Sequence, residues 1–275
     1  MRIYVEGISY NVEAEGKADG APVILLHGFT GDHTTWHYLR KALEKSFYVI
    51  SIDLLGHGQT DAPMDPKRYE MDQAAKDIIY IMNELRIPKA HLLGYSMGGR
   101  LALGIAVMYP ERLNSLMLES TSPGLKTESE KLARIRNDET LAKRILGEGI
   151  INFVDFWENI PLFQTQKRLP DHIKNEIRTQ RLQNTPIGLA NSLIGFSTGK
   201  QPSLWGELSS MSIPVLIMYG ELDQKFCTIA KEMNELVPGA ELVKFQHAGH
   251  AIHVEVPEKF VTIVMEFLYE LEHIS

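Results

Sequence analysis

Cysteine is almost missing from the 275 residues: Cys227 stands alone, so no internal disulfide can form and the chain suits a reducing compartment. A lone thiol of this kind reads as a small buried hydrophobe. Positive charge is also in short supply. With 28 Lys and Arg against 35 Asp and Glu, the formal net charge is −7, which argues against nucleic acid or an anionic membrane surface as a general partner. Long apolar runs are absent, none approaching the ~20 residues of a membrane span. Polar residues interrupt the N-terminal stretch Met1 to Glu6, so it reads as a first strand and not as a secretion signal. There are no internal repeats and no low-complexity segments. The expectation is a cytoplasmic, enzyme-sized globular domain carrying one insertion.

What is present is an alternation of short apolar runs with longer segments of helical period. That pattern belongs to an α/β fold, a mostly parallel central sheet covered by helices on both faces. Arg2 to Glu6 and Ile8 to Glu13 alternate around Gly7 and predict an N-terminal hairpin. Val23 to Leu26, Phe47 to Ile52, Ala90 to Leu93, Leu113 to Leu118, Val215 to Tyr219 and Leu242 to Phe245 predict buried strands. Ala74, Ile78, Ile81, Met82 and Leu85 recur at helical spacing and predict a core-facing stripe. The alternation stops between Ser122 and Ser209, where helical period, Trp157, Phe163 and Trp205 replace the strand runs. Residues 122–209 therefore read as an inserted helical cap, with 1–121 and 210–275 as the core. The cap holds twelve Lys and Arg against ten Asp and Glu, so a weakly positive lid would sit over a negative body.

Residues 94 to 100 read Gly-Tyr-Ser-Met-Gly-Gly-Arg, a G-x-S-x-G core behind a strand run and ahead of a helical one. That context defines a nucleophile elbow at Ser96, with small residues where strand and helix must approach closely. A serine hydroxyl reacts only when a histidine can take its proton and a carboxylate fixes that histidine's tautomer. In this architecture the chain order is serine, acid, histidine. Asp223, just beyond the strand run ending at Gly220, is the favoured acid, with Glu221 as its competitor. His250 follows Gly249 in the loop after the last strand and is the favoured histidine, while His247 and His253 are expected to pack or face solvent. The spacing of the three histidines invites a metal, but no acid or cysteine joins them locally, and neither metal nor cofactor is expected. An oxyanion hole needs two backbone donors. Phe29, in Leu26-His27-Gly28-Phe29, and Met97, after the nucleophile, are the candidates. Asp53 to Thr60 reads as a shaping loop.

With these pieces in place the chain resembles the α/β-hydrolase superfamily over nearly its full length. More narrowly, it is similar to the 2-succinyl-6-hydroxy-2,4-cyclohexadiene-1-carboxylate synthases of the menaquinone pathway. The resemblance rests on Gly94 to Arg100, on Leu118 to Leu125 (LESTSPGL), on Phe156 to Phe163 (FWENIPLF) and on Tyr219 to Phe226 (YGELDQKF). It implies a carbon–oxygen lyase, in which the Ser96–His250–Asp223 triad acts as a general base and pyruvate leaves a small-molecule tricarboxylate. A substrate with three carboxylates needs cations. Arg100 lies at i+4 from Ser96, on the same helix face. The resemblance adds Arg134, or Arg136 beside it, and Arg181, or Arg178, from the cap, and matches Tyr95 and Trp157 to a hydroxyl and an aromatic wall. A carboxylesterase or C–C hydrolase with the same triad is the alternative, and a non-catalytic ligand-binding domain is a second. Oligomeric state is not legible.

Overall fold

The computed structural model describes residues 1–273. Eight strands form one sheet: β1 (Arg2–Val5), β2 (Ile8–Gly16), β3 (Pro22–Leu26), β4 (Tyr48–Ile52), β5 (Ala90–Tyr95), β6 (Leu113–Glu119), β7 (Val215–Gly220) and β8 (Glu241–Phe245). Their spatial order is β1-β2-β4-β3-β5-β6-β7-β8. The first two strands pair antiparallel as the expected hairpin, and β2 meets β4 antiparallel; every other pairing is parallel. Parallel pairing demands crossovers, and helices supply them.

Nine helices are described: α1 (His37–Leu43), α2 (Met71–Glu84), α3 (Met97–Met108), α4 (Glu128–Trp157), α5 (Asp171–Leu182), α6 (Pro186–Gly195), α7 (Gln224–Leu236), α8 (Ile252–Glu255) and α9 (Pro257–Glu272). Because strand side chains alternate between faces, neighbouring residues of one strand feed different cores. Ile24, Leu26, Leu92 and Leu116 pack with α2, α3 and α7, whereas Val23, Leu25, Leu93 and Met117 pack with α1 and α9. The stripe on α2 buries Ile78, Ile81 and Met82. Helix α3 stops at Met108, two residues before Pro110.

Between β6 and β7 the described chain forms only helices and loops. Thr127 starts α4 with a reciprocal cap: its hydroxyl accepts from the Glu130 N–H while the Glu130 carboxylate accepts from the Thr127 N–H. Gly149, at φ +78°, breaks α4 into two segments, a conformation that glycine adopts without strain. Ala142, Ile145, Phe153, Val154, Leu189 and Leu193 form a third small core that joins α4 to α6. The cap is fixed to the sheet by polar contacts as well. Gln180 Nε2 donates to Asp32 Oδ1, Thr34 Oγ1 and Thr35 Oγ1, and Asn184 Nδ2 donates to the Thr30 carbonyl while Asn184 Oδ1 accepts from the Gly58 N–H. Gly188 of α6 lies against Gly56 so closely that a Cβ there would meet the Gly56 oxygen at 2.1 Å. No helix among the described residues is long and apolar enough to cross a membrane.

Candidate active site

Ser96 sits between the end of β5 and the start of α3 with φ 50° and ψ −104°, outside the usual regions for a residue with a side chain. The turn is held from both sides. Ser96 N–H donates to the Glu119 carbonyl on β6, and Arg100 N–H returns to the Ser96 carbonyl. The small neighbours are obligatory: a Cβ at Gly98 would stand 2.2 Å from the Leu26 carbonyl oxygen, and one at Gly94 would stand 2.4 Å from the Gly98 oxygen. Strain of about 1–3 kcal/mol at such a residue persists only where the surroundings over-determine it.

His250 Nε2 lies 3.0 Å from Ser96 Oγ, and His250 Nδ1 lies 2.7 Å from Asp223 Oδ2. The carboxylate can only accept, so Nδ1 carries the proton and Nε2 is free to accept from the serine hydroxyl. Asp223 also caps α7, with Oδ1 accepting from the Phe226 N–H. Both residues are buried at their reacting ends, with side chains 2% and 7% exposed for His250 and Asp223, so water does not compete for the pair. Glu221, the competing acid, faces away: it pairs with Lys244 and accepts from the His247 N–H. His247 is exposed. His253 is buried under the Tyr95 ring, its Nδ1 against both oxygens of Glu119.

Phe29 and Met97 both line the cavity above the serine. Among the described residues neither backbone N–H is given to a protein acceptor, and Met97 opens α3, where the helix dipole is positive. The Phe29 turn is supported from beneath. His27 Nε2 accepts from the Leu54 N–H, and Gly28 lies where a Cβ would meet the Tyr95 ring at 2.6 Å.

The cavity has a volume of about 420 Å³ and includes Ser96, His250, Trp157, Arg100 and Arg134 in its wall. Arg100 Nη1 donates to Gln201 Oε1 (2.5 Å) and Nη2 to the Phe196 carbonyl (2.9 Å), with the guanidinium over the Phe196 ring. Burial, and after it the positive Arg134, press the Arg100 guanidinium down to about 9. Arg134 gives one donor to Asp138 at 2.7 Å and stays partly exposed. Trp157 stacks on Phe153 and meets Phe29 and Phe163 edge-on, serving cap core and cavity wall together. The Tyr95 ring packs against the His250 ring, and burial, then Glu119, raises its hydroxyl well above the ordinary value.

The cap arginines divide between two spaces. Arg181 is not in the wall of this cavity: it lies behind Phe163, with its guanidinium 4.7 Å from that ring, and lines a separate space of about 230 Å³. Phe163 is the wall between the two spaces. There Arg181 is buried, with one hydrogen bond to Gln166 at 3.3 Å and Glu158 at 3.9 Å. Its alternative, Arg178, is committed to Asp155 and Glu158, while of the other pair Arg134 lines the main cavity and Arg136 is exposed. Glu255 was not foreseen. Its carboxylate accepts from the Gly249 N–H and the Thr165 hydroxyl, tying the His250 loop to the cap, and burial raises its pKa. The sequence signal was its spacing of five residues after His250, which only a tight loop makes meaningful.

A mostly parallel sheet with a serine at a strained strand–helix turn, and an acid and histidine delivered by later loops, defines a class. The chain belongs to the alpha/beta hydrolase fold family, whose model matches residues 21–257. Within it, the chain is 48% identical over 263 residues to the putative 2-succinyl-6-hydroxy-2,4-cyclohexadiene-1-carboxylate synthase of Bacillus subtilis, covering 96% of each chain. It is 30% identical to the 2-succinyl-6-hydroxy-2,4-cyclohexadiene-1-carboxylate synthase of an Enterobacter species, covering 92% of this chain and 93% of the relative. Among solved structures, MenH from S. aureus superposes with a TM-score of 0.91 at 38% identity, covering 96% of this chain and 98% of the other.

Proposed function

We propose that the protein is a carbon–oxygen lyase that eliminates pyruvate from 2-succinyl-5-enolpyruvyl-6-hydroxy-3-cyclohexene-1-carboxylate, giving 2-succinyl-6-hydroxy-2,4-cyclohexadiene-1-carboxylate in the cytoplasm. The observation that carries this reading is the half-buried Arg100 in the same cavity as Ser96, beside Arg134. An esterase acting on a neutral ester has no use for such a cation. The small-molecule tricarboxylate is the partner the reading requires.

Comparing substrate and product fixes the chemistry. The ring double bond at C3 becomes a diene at C2 and C4, so a proton leaves C2 and the enolpyruvyl oxygen leaves C5. His250 Nε2 takes the Ser96 hydroxyl proton as Ser96 Oγ removes the proton from C2, and Asp223 balances the imidazolium. The electrons released at C2 delocalise onto the neighbouring succinyl ketone oxygen. Phe29 and Met97 N–H are the donors suited to that oxyanion. When the carbonyl re-forms, the electron pair moves through C3 and C4 and expels the enolate of pyruvate, which takes up a proton and tautomerises. No acyl-enzyme forms and no water is consumed. Arg100 and Arg134 hold carboxylates, so that C2 rests over the serine.

Pyruvate release followed with lactate dehydrogenase and NADH tests the proposal. Stoichiometric pyruvate, lost in Ser96→Ala, is the expected result. Vigorous p-nitrophenyl ester hydrolysis without pyruvate would overturn it in favour of a carboxylesterase.

A further inference from the structure

We propose that Lys225 is a third carboxylate-binding residue of this cavity and sets its preference for a tricarboxylate over a dicarboxylate. The inference rests on the lyase reading above, and its test separates the two. Lys225 lines the same cavity as Ser96, Arg100 and Arg134. It lies in the first turn of α7, two residues after Asp223, and Asp223 fixes that turn by capping it.

Its position opposes its own electrostatics three times over. A cation in the first turn of a helix faces the positive end of the dipole. Desolvation at the cavity wall, and after it the nearby Arg134, lowers its pKa further, although the residue as a whole is exposed. Among the described residues no carboxylate pairs with it. The nearest offsetting charge is Asp223, which is already committed to His250. By contrast, Lys126 in the same cavity wall is paired with Glu232. A cation placed against helix dipole, like charge and desolvation is retained where an anionic ligand completes it.

Arg134 is the common neighbour: it disfavours the charge of Arg100 on one side and of Lys225 on the other. The three cations therefore share one wall, and none is satisfied by protein carboxylates alone except through the single Arg134–Asp138 bond. Arg100 and Arg134 offer planar forks, whereas Lys225 offers a flexible point charge, suited to a carboxylate that changes position as pyruvate departs.

The test uses full-length protein and two probes, propane-1,2,3-tricarboxylate and glutarate, titrated by calorimetry, together with steady-state pyruvate release. Wild type is expected to bind the tricarboxylate about tenfold more tightly than the dicarboxylate, the size of one charge-assisted contact. Lys225→Met should lose that ratio and raise KM by about tenfold with kcat little changed, and Lys225→Arg should restore both. An unchanged ratio and KM in Lys225→Met, or a wild type that does not distinguish the probes, overturns the inference. Wild type that distinguishes the probes yet releases no pyruvate would overturn the lyase reading and leave Lys225 in place.

Discussion

Replacing Arg100 by methionine separates carboxylate binding from framework. A guanidinium has five N–H donors, and here Gln201 Oε1 and the Phe196 carbonyl take one each. The rest have no protein acceptor among the described residues, and the side chain borders the cavity. A substrate carboxylate accepting from them makes a charge-assisted hydrogen bond of about 1.5–3 kcal/mol. Arg100→Met should therefore raise KM for the tricarboxylate by ~10- to ~150-fold and lower kcat far less. Stability should move little, because two effects oppose. The variant no longer desolvates a charge, but the Phe196 carbonyl loses its donor, at a cost of about 1–3 kcal/mol. Steady-state pyruvate release and thermal unfolding of the same preparations decide it. An unchanged KM refutes the reasoning. So does a melting temperature lowered by ten degrees or more with activity lost in proportion, which would make Arg100 a framework residue.

Ser96→Gly should abolish pyruvate release yet raise the melting temperature, because glycine relieves the positive-φ strain of about 1–3 kcal/mol; a destabilised variant in a thermal scan would contradict the strained elbow. Burial, then His27, holds His57 down to about 3 against an ordinary 6.5. Between those values the unfolded chain binds a proton that the folded chain refuses, so this stability is complete above pH 6.5 and drains as pH falls towards 3. The ring alone should cost about 2 kcal/mol between pH 7 and pH 5 by urea unfolding, and His57→Phe should flatten that slope. Asn184→Leu should lose about 2–4 kcal/mol in urea by leaving the Thr30 carbonyl and the Gly58 N–H unpaired, and should lower kcat by loosening the turn that carries Phe29; wild-type kcat would show that the turn stands without it.

The sheet and the triad were legible because each rests on a short-range pattern. Two-residue alternation separates Val23 and Leu25 from Ile24 and Leu26 wherever the helices land, and the glycines around Ser96 mark contacts no side chain could survive. Asp223 could be preferred to Glu221 from its offset beyond the strand, and the structure places Asp223 on His250. The cap resisted for the opposite reason. Whether Arg181 meets the main cavity depends on how the short turn carrying Phe163 packs against α5, a matter of tertiary geometry that residue types do not encode. Lys225 stands inside the Tyr219–Phe226 motif, where a lysine immediately within an aspartate-capped helix is itself an electrostatic anomaly visible in sequence. The pairing of Glu119 with His253 joins residues 134 positions apart and had no local signal.

The side-chain clamp between cap and core has a kinetic meaning. Asn184 grips the carbonyl of Thr30, next to Phe29, and also the amide of Gly58, while Gln180 holds the three side chains that follow at Asp32, Thr34 and Thr35. Any swing of the cap large enough to break these bonds also frees the turn that presents the Phe29 amide. On the proposed lyase mechanism, opening for product exit would also disarm the Phe29 donor, so an open molecule would be an inert one and the enolate would form only behind a closed door.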